Sequence, residues 1–215
     1  MISSSISKGL KGEANIPGDK SISHRSIIIP SISNGVCEIK NLLKSEDVMH
    51  TLNAFKNMGV KVEENDQKLL IYGNGLNSLS KPKSEIYLGN SGTSARLLAG
   101  LLSSQKFDSV LTGDKSLSKR PMSRISKPLA MMNANISTSN GKLPMIIRGN
   151  DLKSSNINLV IPSAQIKSGI LLASLNTHGE TSIIENKVTR DHTEIMLRSF
   201  GANIEIKSKD DKKLL

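Results

Sequence analysis

Two phrases that combine cations with serine hydroxyls recur along the chain. GDKSISHR occupies residues 18–25 and GDKSLSKR occupies residues 113–120, and they are identical at six of eight positions. Lysine and arginine beside hydroxyl groups bind anions well, because their hydrogen bonds to a negative oxygen are charge-assisted. At the start of a helix, free backbone N–H groups and the positive end of the dipole strengthen such a site. The residue types therefore predict anion-binding chemistry.

Three cations are evenly spaced, and each of them precedes an apolar segment. Arg25, Arg96 and Lys167 are 71 residues apart in turn, and SIIIPSIS, LLAGLLSS and GILLASL follow them closely. A helix that is apolar nearly all round is expected to be buried among other helices. We therefore expect three such helices to pack together and their polar first turns to form one anion pocket. Its candidate residues are Lys20, Ser21, Arg25, Asn90, Gly92, Thr93, Arg96, Arg120, Ser163, Gln165, Lys167 and Arg190.

The same spacing organises the whole chain into three repeats, at about 18–83, 84–153 and 154–215. Each repeat has the predicted order helix, strand, helix, strand, strand, entered through a short strand. The second helices are amphipathic and end near Gly59, Asn133 and Gly201, residues that tolerate the left-handed conformation after a helix. Pro30 falls inside the first apolar helix, where we expect it to kink or shorten that helix.

The two similar phrases occupy different positions of the repeat. The first opens the apolar helix of unit one, and the second lies at the strand-to-helix turn before the amphipathic helix of unit two. Their shared wording predicts a shared local task, which is a turn, a helix start and cations placed beside it.

Composition narrows the class of protein. A net charge of +10 indicates an anionic partner, which could be nucleic acid, a membrane surface or a small phosphorylated molecule. The absence of Trp, with two Tyr and three Phe, counts against the stacking platforms of single-stranded nucleic acid binders. No apolar run approaches the ~20 residues of a membrane span, and the N-terminus lacks a signal-peptide core. With Cys37 as its single cysteine, expected to be a small buried residue, the chain is predicted to be cytoplasmic.

Several familiar sites are not predicted. The glycines of LGNSGTSAR lack the dinucleotide-binding pattern, and neither a P-loop nor GxSxG is present. His192 and Glu194 are two residues apart and do not share a helix face, while His24, His50 and His178 have no companion at metal-ligand spacing. We expect these last three histidines to be surface or packed residues, and we expect neither a metal nor a cofactor.

The motifs together resemble one enzyme family over essentially the whole chain. GDKSISHR, LGNSGTSARLL, TGDKSLSKRPM, IPSAQIKSGILLA and TRDHTE are similar to the motifs of the 5-enolpyruvylshikimate-3-phosphate (EPSP) synthases, particularly their class II branch. The resemblance implies an α/β fold, an inverse α/β barrel-like domain of three βαβαββ pseudo-repeats. Family members have two such domains. Residues 18–215 would form one, and residues 1–17 would be a strand or hinge segment belonging partly to the other.

The resemblance also implies an activity and its residues. The family transfers the enolpyruvyl group of phosphoenolpyruvate to the 5-hydroxyl of shikimate 3-phosphate and releases phosphate. Shikimate 3-phosphate would contact Lys20, Ser21, Arg25, Ser163, Ala164, Gln165 and Arg190, and phosphoenolpyruvate would contact Lys20, Gly92, Arg120 and Gln165. The proton-transfer groups are expected in the C-terminal half, which is absent here. This N-terminal half is thus expected to be inactive alone, and the full-length protein is expected to be a monomer.

Two alternatives stay open. One is the related transferase that acts on UDP-N-acetylglucosamine. That family carries a loop cysteine between its second and third units, whereas the only cysteine here is Cys37 in unit one. The other is a non-catalytic phosphate- or RNA-binding module built from the same repeat, which the scarcity of aromatic residues disfavours.

Overall fold

The elements of the computed structural model follow the predicted repeat. The model describes residues 3, 5, 9, 11–14, 16–65, 68–209 and 212–215. Its α-helices are α1 (Lys20–Ser31), α2 (Glu46–Asn57), α3 (Gly92–Ser103), α4 (Ser123–Met131), α5 (Ala164–Ser174) and α6 (His192–Ser199). Its strands are β1 (Asn34–Lys40), β2 (Lys61–Glu64), β3 (Lys68–Asn74), β4 (Ile86–Tyr87), β5 (Ser109–Thr112), β6 (Asn135–Ser139), β7 (Lys142–Arg148), β8 (Asn156–Leu159), β9 (Ser182–Glu185), β10 (Lys207–Lys209) and β11 (Lys212–Leu214). A short 3₁₀ turn, Leu117–Lys119, precedes α4.

Each repeat builds its own small sheet with one strand order. In the second repeat the order is β4-β5-β7-β6, and in the third it is β8-β9-β11-β10. The first two strands of each sheet are parallel and the remaining pairs are antiparallel. The first repeat has β1-β3-β2, the same order without an entering strand among the described residues. This recurrence confirms the predicted α/β domain of three pseudo-repeats.

The three apolar helices α1, α3 and α5 lie at the centre of the domain, as predicted. Eleven of the twelve residues of α3 are buried, and Ile27, Ile28 and Ile29 of α1 are at most 1% exposed. Helices α3 and α5 cross at Gly100 and Gly169, where a Cβ on Gly100 would lie 1.8 Å from the Gly169 carbonyl oxygen. Only glycine permits this approach, because the contact is between two backbones.

The outer helices α2, α4 and α6 end in the same way. Gly59, Asn133 and Gly201 have φ values of 89°, 68° and 90°, so the predicted left-handed positions are confirmed. In each case the following residue donates its N–H to a carbonyl five positions earlier, as in the bond from Val60 N to Phe55 O of 3.0 Å. This is the Schellman arrangement, which satisfies helix carbonyls that would otherwise lack partners.

Three local expectations need correction. The first repeat has no entering strand in the part of the chain that the structure describes, and residues 203–206 do not extend β10. Pro30 does not shorten α1, which has 12 residues like α3, although the proline removes one backbone donor from the last turn of the helix. The strand or hinge segment expected at 1–17 lies partly outside the described residues and stays a prediction.

Candidate functional site

The two similar phrases do perform one local task. The Asp19 carboxylate accepts a hydrogen bond of 2.8 Å from Ile22 N at the start of α1. The Asp114 carboxylate accepts one of 2.7 Å from Leu117 N at the 3₁₀ turn after β5. In both, the aspartate three residues before the amide fixes the turn. The cations that follow are thereby held at defined helix or turn starts.

The N-terminal ends of the central helices are capped alike. Asp19, Ser91 and Ser163 are the N-cap residues of α1, α3 and α5, and each side chain accepts from the backbone N–H three residues later. The cap satisfies one of the orphan donors of each helix end. Candidate residues therefore occupy the first turns: Lys20 and Ser21 in α1, Gly92 and Thr93 in α3, and Ala164 and Gln165 in α5.

Arg25 lies in a buried socket between α1, α5 and α6. Its side chain donates through Nε to Thr193 Oγ1 at 2.6 Å, through Nη2 to Ser168 Oγ at 2.7 Å and through Nη1 to the Ser21 carbonyl at 2.9 Å. Burial lowers the pKa of Arg25 to about 10, while the charge of Glu194 opposes that shift. The guanidinium therefore stays charged at neutral pH, and its orientation is fixed by groups from three helices.

Arg190 joins this socket from the loop before α6. Its Nη1 donates to Ser21 Oγ at 3.3 Å, although the residue is exposed. Ser21 thus contacts both arginines, Arg25 through its carbonyl and Arg190 through its hydroxyl. Two cations with a serine between them form the first group of the site, and they come from the first and third repeats.

A second group surrounds Gln165 at the start of α5. Its Oε1 accepts from Arg96 Nη1 at 2.9 Å, and its Nε2 donates to Thr93 Oγ1 at 2.9 Å. Arg96 also donates to the carbonyls of Gly92 at 3.0 Å and Pro121 at 3.2 Å. Burial lowers the pKa of Arg96, and the neighbouring charges of Arg120 and Arg124 lower it further. The second group is therefore strongly electropositive.

Gly92 provides the space in which two arginines meet. A Cβ at this position would lie 2.7 Å from Arg96 Nη1 and 3.1 Å from Arg120 Nη1. Arg120 in turn donates through Nη2 to the Asn90 side-chain oxygen. The LGNSGTSAR segment therefore meets the end of the GDKSLSKR phrase at this point. The sequence predicted that residues of both belong to one pocket, but not that they contact each other.

Lys20 stands apart from both groups and pairs with a carboxylate that the sequence did not single out. Its ammonium forms an ion pair with Asp47 of α2, and its side chain is 52% exposed. Asp47 orients the lysine at the edge of the first turn of α1. The only signal in the sequence was an acidic residue in the first turn of the next helix, which helix starts favour generally.

The prediction that Lys167 lines the anion pocket is wrong. Its side chain is fully buried, and its ammonium donates at 2.7 Å to Glu185 Oε2 and at 2.7 Å to Glu194 Oε1. A desolvated lysine requires paired carboxylates, and here it has two. The sequence did contain a signal, since Glu185 directly follows Ile183 and Ile184 in the strand-like TSIIEN run of the same repeat.

His24 is a packed histidine, as expected, but it belongs to a polar network beneath the site. Its Nδ1 lies 2.8 Å from Thr51 Oγ1 and 3.3 Å from Ser94 Oγ, and its Nε2 lies 3.5 Å from Ser91 Oγ. Burial lowers its pKa to about 4, and the Lys20 charge adds to this. The neutral ring connects α1, α2 and the cap of α3.

Beside the N-cap of α5 a groove of about 410 Å³ opens between α4 and the loop after β8. Arg124, Lys127 and Ser163 line it together with the exposed Val160 and Ile161. Ser163 and Ala164 are both half-buried, and Ser163 lines this groove. No helix in the described part of the chain is long and apolar enough to cross a membrane. Among these residues, no set of three or more His, Cys, Asp or Glu could hold a metal ion.

Comparison with known proteins bears on this arrangement. Residues 5–214 match the family model of EPSP synthase (3-phosphoshikimate 1-carboxyvinyltransferase). The chain is 54% identical over 198 residues to the 3-phosphoshikimate 1-carboxyvinyltransferase of Ruthia magnifica, covering 92% of this chain and 46% of that protein. It is 49% identical over 202 residues to the enzyme of that name from Leuconostoc citreum, covering 93% and 47%.

Solved structures agree with the sequence relatives. The EPSP synthase of Acinetobacter baumannii superimposes with a TM-score of 0.88 at 50% identity, over 95% of this chain and 46% of that one. The chain therefore spans about half the length of the relatives it matches.

Proposed function

Because the chain belongs to the EPSP synthase family, we propose that it supplies the N-terminal half of a 3-phosphoshikimate 1-carboxyvinyltransferase. The reaction joins the 5-hydroxyl oxygen of shikimate 3-phosphate to C2 of phosphoenolpyruvate. The tetrahedral intermediate then expels phosphate and leaves the enolpyruvyl ether. Both substrates are anions, so the chain's task in this proposal is to hold two negative molecules close together.

One observation carries the proposal: the first turns of α1, α3 and α5 present two separate cationic groups. Ser21, Arg25 and Arg190 form the first, and Gly92, Arg96 and Arg120 surround the second. A surface for one anion needs one such group. Two groups joined by α5 fit two anionic substrates that must meet.

The first group is proposed to bind shikimate 3-phosphate. Arg25 and Arg190 supply charge to the ring carboxylate and phosphate, and Ser21 is placed between them. Ser163, Ala164 and Gln165 would take the phosphate at the positive end of α5, where an anion gains from the dipole and backbone N–H groups. Ser163 already uses its hydroxyl oxygen as the helix cap, which leaves the hydroxyl proton to donate.

The second group is proposed to bind phosphoenolpyruvate. Arg120 supplies a guanidinium held by Asn90, and Gly92 leaves the space beside it open. Gln165 lies between the groups and would face both substrates, while Lys20 would approach them from the Asp47 side. Arg96 is too deeply buried to be an obvious ligand, and we propose that it supports Gln165 and adds positive potential.

The remaining parts of the proposal concern the full-length protein. Relatives are about twice as long, and we propose that the proton-transfer groups and the other wall of the cleft lie in the part they have in addition. The isolated chain is then expected to bind substrate weakly and to lack turnover. The expectation that the full-length protein is a cytoplasmic monomer stays a prediction.

The test is an amide NMR titration of the 215-residue chain with shikimate 3-phosphate, with UDP-N-acetylglucosamine as the competing ligand. We expect shifts at Ser21, Arg25, Ser163 and Arg190 with shikimate 3-phosphate and none with the UDP-sugar. Arg190→Ala should weaken binding about tenfold or more, since a charge-assisted hydrogen bond contributes about 1.5–3 kcal/mol. Arg148→Ala is the matched control, because Arg148 is exposed and donates to Ser137 on β6.

The opposite pattern of shifts would overturn the substrate assignment. If the UDP-sugar shifts these signals and shikimate 3-phosphate does not, the chain belongs functionally with the UDP-N-acetylglucosamine transferases. Equal weakening by Arg190→Ala and Arg148→Ala would show that general positive charge, rather than this site, holds the ligand. That second result would favour the non-catalytic phosphate- or RNA-binding alternative.

A further inference from the structure

A buried ion cluster lies directly behind the first cationic group. Lys167 of α5, Glu185 of β9 and Glu194 of α6 all have side chains that are 0% exposed. The lysine donates at 2.7 Å to each carboxylate. A cluster with no exposed atoms does not bind substrate, so any effect on the site must act through neighbouring residues.

The cluster anchors both ends of the loop that carries Arg190. Glu185 is the last residue of β9, before the loop, and Glu194 is in the first turn of α6, after it. One ammonium therefore ties the two ends of an eight-residue segment, 186–193, to α5. Thr189 adds a third attachment, because its hydroxyl donates to Glu185 Oε1. Because Arg190 is exposed, the position of its backbone depends on these attachments of the loop.

The cluster is also adjacent to the socket of Arg25. Ser168 and Thr193, the neighbours of Lys167 and Glu194, lie 2.7 Å apart through their hydroxyl oxygens. Both accept hydrogen bonds from the Arg25 guanidinium. The ion pair and the hydroxyl pair are thus two successive connections between α5 and α6, and the second of them holds Arg25.

The four buried charged residues of this arrangement have balanced charges. Lys167 and Arg25 contribute two positive charges, and Glu185 and Glu194 contribute two negative charges. The Glu194 charge acts on Arg25 as well as on Lys167. Removing one carboxylate leaves a buried cation without full compensation, which favours rearrangement of the side chains around it.

From these contacts we infer that Lys167, Glu185 and Glu194 are positioning residues that hold Arg25 and Arg190 in the geometry required by shikimate 3-phosphate. The inference rests on the proposed function. Arg25 and Arg96 are members of the two cationic groups, whereas Lys167 lies outside both groups and holds the loop and α6 from behind.

The sign of one effect separates positioning from simple electrostatics. Glu194→Gln removes a negative charge near an anion site, so long-range attraction alone predicts tighter binding of shikimate 3-phosphate. Loss of positioning predicts the reverse, and we expect the Kd to rise at least about tenfold. Glu46→Gln is the matched control, because Glu46 is an exposed carboxylate in the first turn of α2, next to the Asp47 that pairs with Lys20, and its loss leaves every contact of Arg25 in place. We expect this control to bind as tightly as the original chain or more tightly.

The experiment measures shikimate 3-phosphate affinity of the 215-residue chain by calorimetry, well below the unfolding temperature of each variant. The ¹⁵N signal of Arg25 Nε–H is recorded beside it, since this proton is buried against Thr193. A weaker Glu194→Gln variant with a displaced Arg25 signal supports the inference. A Glu194→Gln variant with lowered unfolding temperature but unchanged or tighter binding overturns it, because that is the signature of a merely structural role.

Two further provisions keep the test decisive. If Glu194→Gln does not fold, the double variant Lys167→Met with Glu185→Gln takes its place. It removes the ammonium and one carboxylate together, and the charge of Glu194 still acts on Arg25. Unaltered affinity for shikimate 3-phosphate in the double variant overturns the inference. If the original chain ignores shikimate 3-phosphate, the proposed function fails separately. The ¹⁵N signal of Arg25 then tests the positioning role by itself. A displaced signal in Glu194→Gln or in the double variant supports that role, and an unchanged signal overturns it.

Discussion

His24 makes the stability of this domain depend on pH in a predictable direction. The ring is fully buried between α1, α2 and α3, and burial lowers its pKa from 6.5 to about 4. Between these values the unfolded chain binds a proton that the folded chain does not. The contribution of His24 to the free energy of unfolding is therefore fully present above pH 6.5 and is lost as the pH falls towards 4.

The size of the effect follows from the two pKa values. A difference of one pKa unit corresponds to about 1.4 kcal/mol, so the full loss from this residue is about 3 kcal/mol. At pH 5 the unfolded ring is almost fully protonated and the folded ring is mostly neutral. The expected loss between pH 7.5 and pH 5 is then about 2 kcal/mol.

Urea unfolding at pH 7.5 and pH 5 measures this contribution when the chain is compared with its His24→Asn variant. The amide can replace part of the contact to Thr51 but does not titrate, so the variant should lose about 2 kcal/mol less on acidification. Carboxylates that titrate in the same window cancel in the comparison. His178→Asn serves as the control, because His178 is exposed. Equal acid losses in the original chain and His24→Asn would refute the reasoning.

Three further changes test the packing of the helices and the site. Gly100→Ala should destabilise the domain by about 3 kcal/mol or prevent folding, since its Cβ would meet the Gly169 carbonyl at 1.8 Å, and thermal unfolding measures this. Asn133→Ala should cost about 1 kcal/mol in urea unfolding while Asn133→Gly costs less, because φ is 68°. Gly92→Ala should displace the Arg96 guanidinium at 2.7 Å and weaken phosphoenolpyruvate binding about tenfold in an NMR titration, with little change in unfolding temperature.

The repeat architecture could be predicted because its signals are local and occur three times. Apolar segments after each cation predicted the central helices, and Gly59, Asn133 and Gly201 predicted the ends of the outer ones. The two GDKS phrases were likewise predicted to form a turn and a helix start. These features depend on helix propensity, capping and turn conformation, and each of these is determined by residues close together in the sequence.

The side-chain partners could not be predicted in the same way, since they come from distant parts of the chain. Lys167 has the same spacing as Arg25 and Arg96, yet its neighbours make it an internal cation. Nothing in the sequence marks Asp47 of α2 as the partner of Lys20 in α1. Equivalent backbone positions in a repeat do not imply equivalent chemistry, because each central helix meets a different neighbour.

Helix α5 accounts for how two cationic groups can act as one site. Gln165 in its first turn holds Arg96 and Thr93, and Ser168 one turn later holds Arg25. These contacts lie on one rigid element whose backbone is fixed against α3 at Gly169. The spacing of the two groups therefore depends on the packing of α5 against α3. A transfer between two bound anions requires such a fixed spacing, since small misplacements of the reacting atoms slow it strongly.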